Sequence, residues 1–440
     1  MMSQAAQMQV SSAGSAQEWS FPARLAFRFG FCYFVLYIYP SVLGARSSVQ
    51  YDQGNPVRWL WDHIVPWVGS HVLHLPGPFT PGFNGSGDQM YDYILWLCLL
   101  VTAAFLAVLW SLLDRRRKQY DNLYEWLRVL VRLTVAIAMI NYGMGKLFRF
   151  QFPRLSLAKL VDTYGQSSPQ GLLWAVMDYS RAYSFIGGVG ETVGGMLLLV
   201  PRFTTLGTLI TLGMMSNVMM LNLFYDVPRK ILCAHLLLMC VFLLWPDIRR
   251  LFGFFVLRKS EQLAAPRPLF RDRAFNKAAL FFQLAIGIGV ILYCAHHSYM
   301  TSERLAAQID PSLRGIWIVD QFELDGALHP PLLTDTGRWK CVVFDHPDEF
   351  TVQLMDDTQQ KFFLQWNGEK SYGSLWGVED HAKKGSLTVH DLQADRMVLE
   401  AQVAGHRATA QLRRADLSDP TKFLLTNRGF HWVDPTMLLR

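Results

Sequence analysis

The chain predicts a multi-domain α + β fold: a polytopic helical membrane bundle followed by an antiparallel β-barrel. Three observations predict it. Seven apolar runs in the first 300 residues approach the roughly 20 residues needed to cross a bilayer. Charged residues make up 17% of the 440 residues, well under the roughly 25% of soluble domains. From about residue 310 the apolar period shortens to two, which is the period of strands.

The elements follow in order. Residues 1–22 form a polar tail rich in Ser, Ala and Gln. It lacks the basic start and compact apolar centre of a cleavable signal, so the first run acts as a signal anchor. The runs lie near 23–43, 89–113, 124–146, 183–200, 203–224, 229–247 and 277–297. Residues 23–123 hold two spans joined by an external loop. Residues 124–250 form a four-helix core, and 251–300 a basic loop with the last span. Residues 301–440 form an external barrel. Lys and Arg in short loops set the orientation. Arg24 and Arg28, the RRRK block at 115–118, Arg202, and the basic residues from Arg249 to Lys277 all fall on one side if the N-terminus is cytoplasmic. Seven spans then leave the C-terminal domain outside. The net charge of +6 sits largely in these blocks, which suggests membrane topology rather than nucleic-acid binding. Two external segments are more than loops. Trp59, Trp61 and Trp67 suit an interfacial position for 44–88, and 154–182 reads as two short helices broken at Ser168–Pro169 that lie flat on the membrane. The six cysteines form no CxxC pair, so neither a disulfide framework nor a metal site is indicated.

Candidate strands are Gly315–Leu324, Arg338–Phe344, Glu349–Met355, Lys361–Trp366, Gly385–Val389, Met397–Val403, Arg407–Leu412 and Lys422–Thr426. Turn sequences such as ELDG and AGHR separate several of them. Short strands in this order suggest an up-and-down barrel, which closes to remove its edges. The start LRGIW resembles the Gly-x-Trp opening of lipocalin-like barrels. That resemblance implies Trp317 as a core residue, with Arg428 of NRGFHW packed over it.

The candidate site is a polar constellation within the apolar runs. At about 1.5 Å per residue, Asn141 and Lys146 stand near the outer end of the third run and Glu191 roughly 12 Å inside the fourth. Asn217 and Asn222 occupy the outer part of the fifth, Asp226 lies just beyond it, and His235 is about 9 Å into the sixth. Four successive runs thus carry polar groups in the same half. One reading is a cavity open to the outside, in which Glu191 and His235 handle protons and the amides bind a ligand. The other is structural: asparagines bonding helices together, Lys146 reaching for the interface, Glu191 paired with Lys146 or Arg132, and a satisfied helix histidine. In NLFYDVPRK, Pro228 fits a first helical turn capped by Asp226. Tyr225, Arg229 and Lys230 remain to bind an anionic group.

At GMGKL (143–147, with Lys146) and GETVGGMLLL (190–199, with Glu191) the chain resembles the DoxX family of membrane proteins. The likeness covers about residues 125–250. It implies a DoxX-like four-helix core and a multi-pass place in a bacterial inner membrane, with the N-terminus cytoplasmic and the barrel periplasmic or extracellular. It also implies envelope redox metabolism, since some members serve thiosulfate–quinone oxidation. The expected function is binding of a quinone-like or lipid ligand in the core, with quinone as the candidate cofactor. The expected partners are membrane lipid, a hydrophobic ligand and a protein in the membrane, not nucleic acid. Two alternatives stand: a quinone-linked oxidoreductase subunit, and a non-catalytic envelope scaffold whose barrel docks a ligand or protein.

Overall fold

The computed structural model describes residues 18–39, 56–79, 87–260, 268–306, 310–367, 371–378, 384–419 and 421–427. The chain divides into two compact units. One joins Met1–Met144 to Ile186–Ala295; the other joins Gly145–Phe185 to His296–Arg440.

The first unit is helical. Helix α1 (Phe21–Ile38) starts where Ser20 Oγ accepts from the Ala23 amide at 3.4 Å, with Pro22 in the first turn, where its missing N–H costs nothing. Helix α2 (Pro56–Trp67) runs on into a π-helical turn, Val68–Val72. Of its tryptophans, Trp61 is buried while Trp59 and Trp67 are exposed. Helix α3 (Met90–Leu113) opens on a reciprocal cap between Gln89 and Asp92. Helix α4 (Asp121–Leu147) follows. The short helices α5 (Leu157–Leu160) and α6 (Pro169–Tyr179) lie in the second unit. Then come α7 (Arg181–Leu199), α8 (Thr204–Phe224), α9 (Lys230–Leu244), α10 (Ile248–Phe255) and α11 (Arg273–Ala306).

Over the described residues, each of the seven apolar runs contains a helix. Among the described residues, six helical stretches are long and apolar enough to cross a membrane: Phe21–Ile38, Met90–Leu113, Arg181–Leu199, Pro201–Phe224, Lys230–Phe255 and Arg273–Leu305. The chain is thus a multi-pass membrane protein. The expected third span, in α4, is outside that set, and Asp121, Glu125, Arg128, Arg132 and Lys146 lie along it. Two of these cations are held inside the protein or by a neighbour: Arg132 is buried and donates to Gln283 Oε1 at 2.6 Å, and Arg128 stands 3.7 Å from Glu125. Arg28, read from sequence as a loop charge, is also buried. It donates to the Tyr120 hydroxyl at 2.7 Å and to the Asp114 carbonyl, also at 2.7 Å.

Glycines set the helix spacing. A Cβ on Gly143 of α4 would stand 2.2 Å from Thr192 Oγ1 and 2.7 Å from the Gly188 carbonyl of α7. One on Gly195 would stand 2.9 Å from the Ala136 carbonyl. The α4–α7 crossing therefore brings backbone against backbone, the use of small residues expected in membrane helix packing.

The second unit is built on β1 (Gly315–Leu324), β2 (Ala327–Leu328), β3 (Trp339–Phe344), β4 (Glu349–Leu354), β5 (Gln359–Asn367), β6 (Tyr372–Gly377), β7 (Lys384–His390), β8 (Arg396–Val403) and β9 (His406–Arg414). Strand β2 only flanks the end of β1, which pairs on to β3. All pairings are antiparallel, and β9 returns to β1 from Trp317↔Arg414 to Leu324↔Ala408. Eight strands thus close into a barrel. A bulge at Asp320 shifts the inward phase of β1 from Trp317 and Val319 to Phe322 and Leu324. The interior is a packed core that includes Trp317, Phe322, Phe344, Phe350, Leu387 and Leu399. Eight strands enclose just enough room for side chains, and here side chains fill it.

Two strand expectations change. Lys422–Thr426 is not a strand, since its residues run into the one-turn helix α12 (Leu424–Asn427). The eighth barrel strand is instead β6. Its glycines mask the pattern; at Gly373 a Cβ would stand 2.6 Å from Leu364 Cδ1, so a larger residue would make that leucine shift. The segment 154–182 also departs from two helices lying on the membrane. Helix α5 docks on the outer wall of the barrel, where Leu157 and Ala158 cover Ile316, Cys341 and Val343. Asp345 Oδ2 accepts from the Leu157 amide at 2.7 Å, and Gln353 and Gln359 donate to the Val161 and Ala158 carbonyls. Burial there pushes the Cys341 thiol up to about 12. The expected break holds, with Ser168 Oγ capping α6 by accepting from the Gly171 amide at 3.1 Å.

Candidate functional site

In the helical unit, Glu191 of α7 is wholly buried. Tyr142 of α4 lies within electrostatic reach of Glu191, Arg229 and Cys233. Glu191 and Arg229 thus each act through space on one tyrosine of the helical unit. Tyr142 escaped the sequence reading because a tyrosine beside Gly143 is unremarkable in an apolar run.

His235 of α9 sits in a second cluster. Its ring stacks on Tyr37 at 3.7 Å between centroids and meets Trp96 edge-on. His235 Nδ1 is 2.6 Å from the Ile231 carbonyl, which can only accept, so Nδ1 carries the proton. Nε2 then accepts from the Tyr33 hydroxyl at 2.5 Å, and Tyr33 in turn accepts from Trp96 Nε1 at 2.8 Å. Both ring nitrogens are engaged. The i−4 carbonyl was foreseeable from the helix; Tyr33 and Trp96, from α1 and α3, were not.

The amides separate. Asn222 is buried and donates to the Arg229 carbonyl at 3.3 Å, tying the end of α8 to the start of α9. Asn141 and Asn217 are exposed, unlike Glu191 and Asn222, which are buried. Tyr225 and Asp226 are exposed too; Asp226 forms a 2.9 Å ion pair with Lys230. Asp226 does not cap α9. That role falls to Asp88, whose carboxylate accepts from the Lys230 amide at 2.6 Å and the Ile231 amide at 3.1 Å. Asp226 instead adopts φ +51° in the turn, which carries its side chain off the helix axis. A cap supplied 142 residues away leaves no local signal.

In the second unit, Lys146 lines a 260 Å³ cavity with Arg149, Asp178 and Arg181. Trp317 is fully buried in the barrel and donates from Nε1 to the Leu313 carbonyl at 2.8 Å. Arg428 lies outside the described residues. The guanidinium over the Trp317 ring is that of Arg414, 5.3 Å from the ring centroid, which also donates to the Pro311 carbonyl at 2.7 Å. Arg414, at the end of β9, was not singled out from the sequence, which looked to a later strand.

Among the described residues no group of three or more His, Cys, Asp or Glu gathers as a metal site. No family model matches the chain, and no solved structure matches it. Over 124 residues it is 31% identical to the uncharacterized protein YwoB of Bacillus subtilis, a stretch covering 28% of this chain and 79% of that protein.

Proposed function

The chain belongs, over the stretch they share, to the family of the uncharacterized protein YwoB, and on that premise we propose that it binds a quinone-like or lipid ligand in its helical unit in support of redox metabolism at a bacterial inner membrane. The observation that carries this reading is Glu191, wholly buried in a helix of the membrane unit, with Tyr142 under the electrostatic influence of both Glu191 and Arg229. A carboxyl within a membrane helix costs about 2.5–3.5 kcal/mol on insertion scales and marks a functional site by default. Tyrosine and arginine donors suit the carbonyl of a quinone headgroup, and Glu191 is placed to exchange a proton with it. His235, held by Ile231 on one ring nitrogen and by the Tyr33 hydroxyl on the other, is the second candidate for handling protons. The α4–α7 crossing at Gly143 and Gly195 supports a DoxX-type core over about 125–250, with α4 as its first span. An oxidoreductase role on the same site would need an electron donor from a partner.

The filled barrel favours the scaffold reading for the second unit. With the described part of its interior packed by side chains, the barrel offers its outer surface to a protein partner.

Lipid extraction and mass spectrometry of the purified protein test the core site. Wild-type protein should carry a quinone or a specific lipid. Glu191→Gln should keep its helical content and thermal stability while losing that molecule. Unchanged retention in Glu191→Gln and in Glu191→Gln/Arg229→Gln would overturn the reading.

A further inference from the structure

A second site lies in the barrel-bearing unit, at the cavity between the end of α4 and the start of α7. Its charged lining is three cations, Lys146, Arg149 and Arg181, against one carboxylate, Asp178. That carboxylate is already committed. Asp178 Oδ1 holds the Arg149 guanidinium, and its Oδ2 accepts from the Leu155 amide at 2.8 Å. The Arg181 side chain makes no hydrogen bond or ion pair among the described residues. Arg149 has φ +57°, a left-handed conformation that favours glycine after a helix. Holding an arginine there aims its side chain at Asp178, and residues kept in such conformations cluster at ligand clamps.

Size and depth narrow the ligand. The cavity of 260 Å³ is below the roughly 300–1,000 Å³ of sites that enclose a whole small molecule. It suits one charged group, with Met177 and the exposed Phe185 supplying an apolar flank. Helix α7 has 19 residues, so at about 1.5 Å per residue it just spans a hydrocarbon layer of about 30 Å. Its first residue, Arg181, therefore stands at the depth of lipid phosphates. Arginine is the side chain best shaped for that group.

We propose that this cavity is a phosphate-binding site that takes the headgroup of an anionic phospholipid. Full-length protein would be reconstituted in phosphatidylcholine bilayers containing a minor fraction of phosphatidylglycerol, and the lipid retained on it read by native mass spectrometry. Wild-type protein should retain phosphatidylglycerol above its bulk fraction. Arg181→Gln should reduce that enrichment roughly fivefold, the scale of one basic residue at a charged membrane surface. Arg181→Lys should keep most of it, and Arg202→Gln, on a different loop, should change nothing. Inorganic phosphate, titrated in detergent at matched ionic strength, separates the two sources of the group. Stabilisation by phosphate without lipid enrichment would assign a soluble ligand and overturn the lipid assignment. Equal enrichment in wild type and a folded Lys146→Met/Arg181→Gln variant would overturn the site itself. The wild-type measurement needs no variant: retention at the bulk fraction, with no response to phosphate, also overturns it.

Discussion

Asp88 and Asp226 are both acids near the first turn of α9, and only Asp88 caps it. Asp88→Ala should lower stability by about 1 kcal/mol, within the roughly 0.5–2 kcal/mol of lost N-caps. Asp226→Ala should stay within about 0.5 kcal/mol, as exposed sites do. Thermal unfolding in detergent ranks the two, and the reverse order would refute the assignment. A second expectation concerns acid. The His406 ring and the Arg407 amide hold the Asp325 carboxyl below the usual carboxylate range, and the His329 ring does the same for Asp335. Folding lowers both values, so the unfolded chain takes up protons first as pH falls. Their contribution is intact above about pH 4 and is lost below it. The urea midpoint of barrel unfolding should fall between pH 5 and 3, and Asp325→Asn with Asp335→Asn should flatten that fall.

The elements divide by how local their causes are. The backbone contact at Gly143 predicts that Gly143→Ala forces α4 and α7 apart, at a cost of about 1–3 kcal/mol for overpacking. Gly213→Ala meets nothing within 4 Å and should be neutral or slightly stabilising. Equal thermal shifts for the two would dismiss the crossing as a constraint. The seven apolar helices and seven of the barrel strands were legible because each writes its own period into the chain. Strand β6 was not, since Gly373 and Gly377 interrupt its alternation for the sake of the neighbouring Leu364. Of the site, Glu191 was legible as a charge in an apolar run. Tyr142, Tyr33, Trp96, Asp88 and Arg414 were not, because each gains its meaning from a partner on another element. For Asn141 and Asn217 only depth along the helix could be counted from sequence; their exposure depends on which face the neighbouring helices cover.

At the scale of the molecule, contacts within the helical unit gather the basic loops at one end. Lys118 pairs with Glu18 at 2.7 Å, Arg24 donates to the Arg117 carbonyl, and Trp126 meets Phe270 edge-on. Thr205 in turn donates to Asp247 at 2.7 Å, while Gly87 and Asp88 bind the Pro228–Ile231 turn at the other end. On the proposal that this basic end is cytoplasmic and that α4 crosses, the barrel is external. A reporter fused after Arg440 should be active only outside the cytoplasm, and cytoplasmic activity would leave α4 uncrossed. The seam between β1 and β9 has a consequence of its own. A domain tethered to a bilayer is confined to two dimensions, so its copies meet far more often than free ones do. An open sheet held at such density would offer unpaired strands for its neighbours to extend, the route by which sheets polymerise. With Trp317 to Leu324 already joined to Arg414 to Ala408, the barrel can crowd the membrane surface without zipping into fibres.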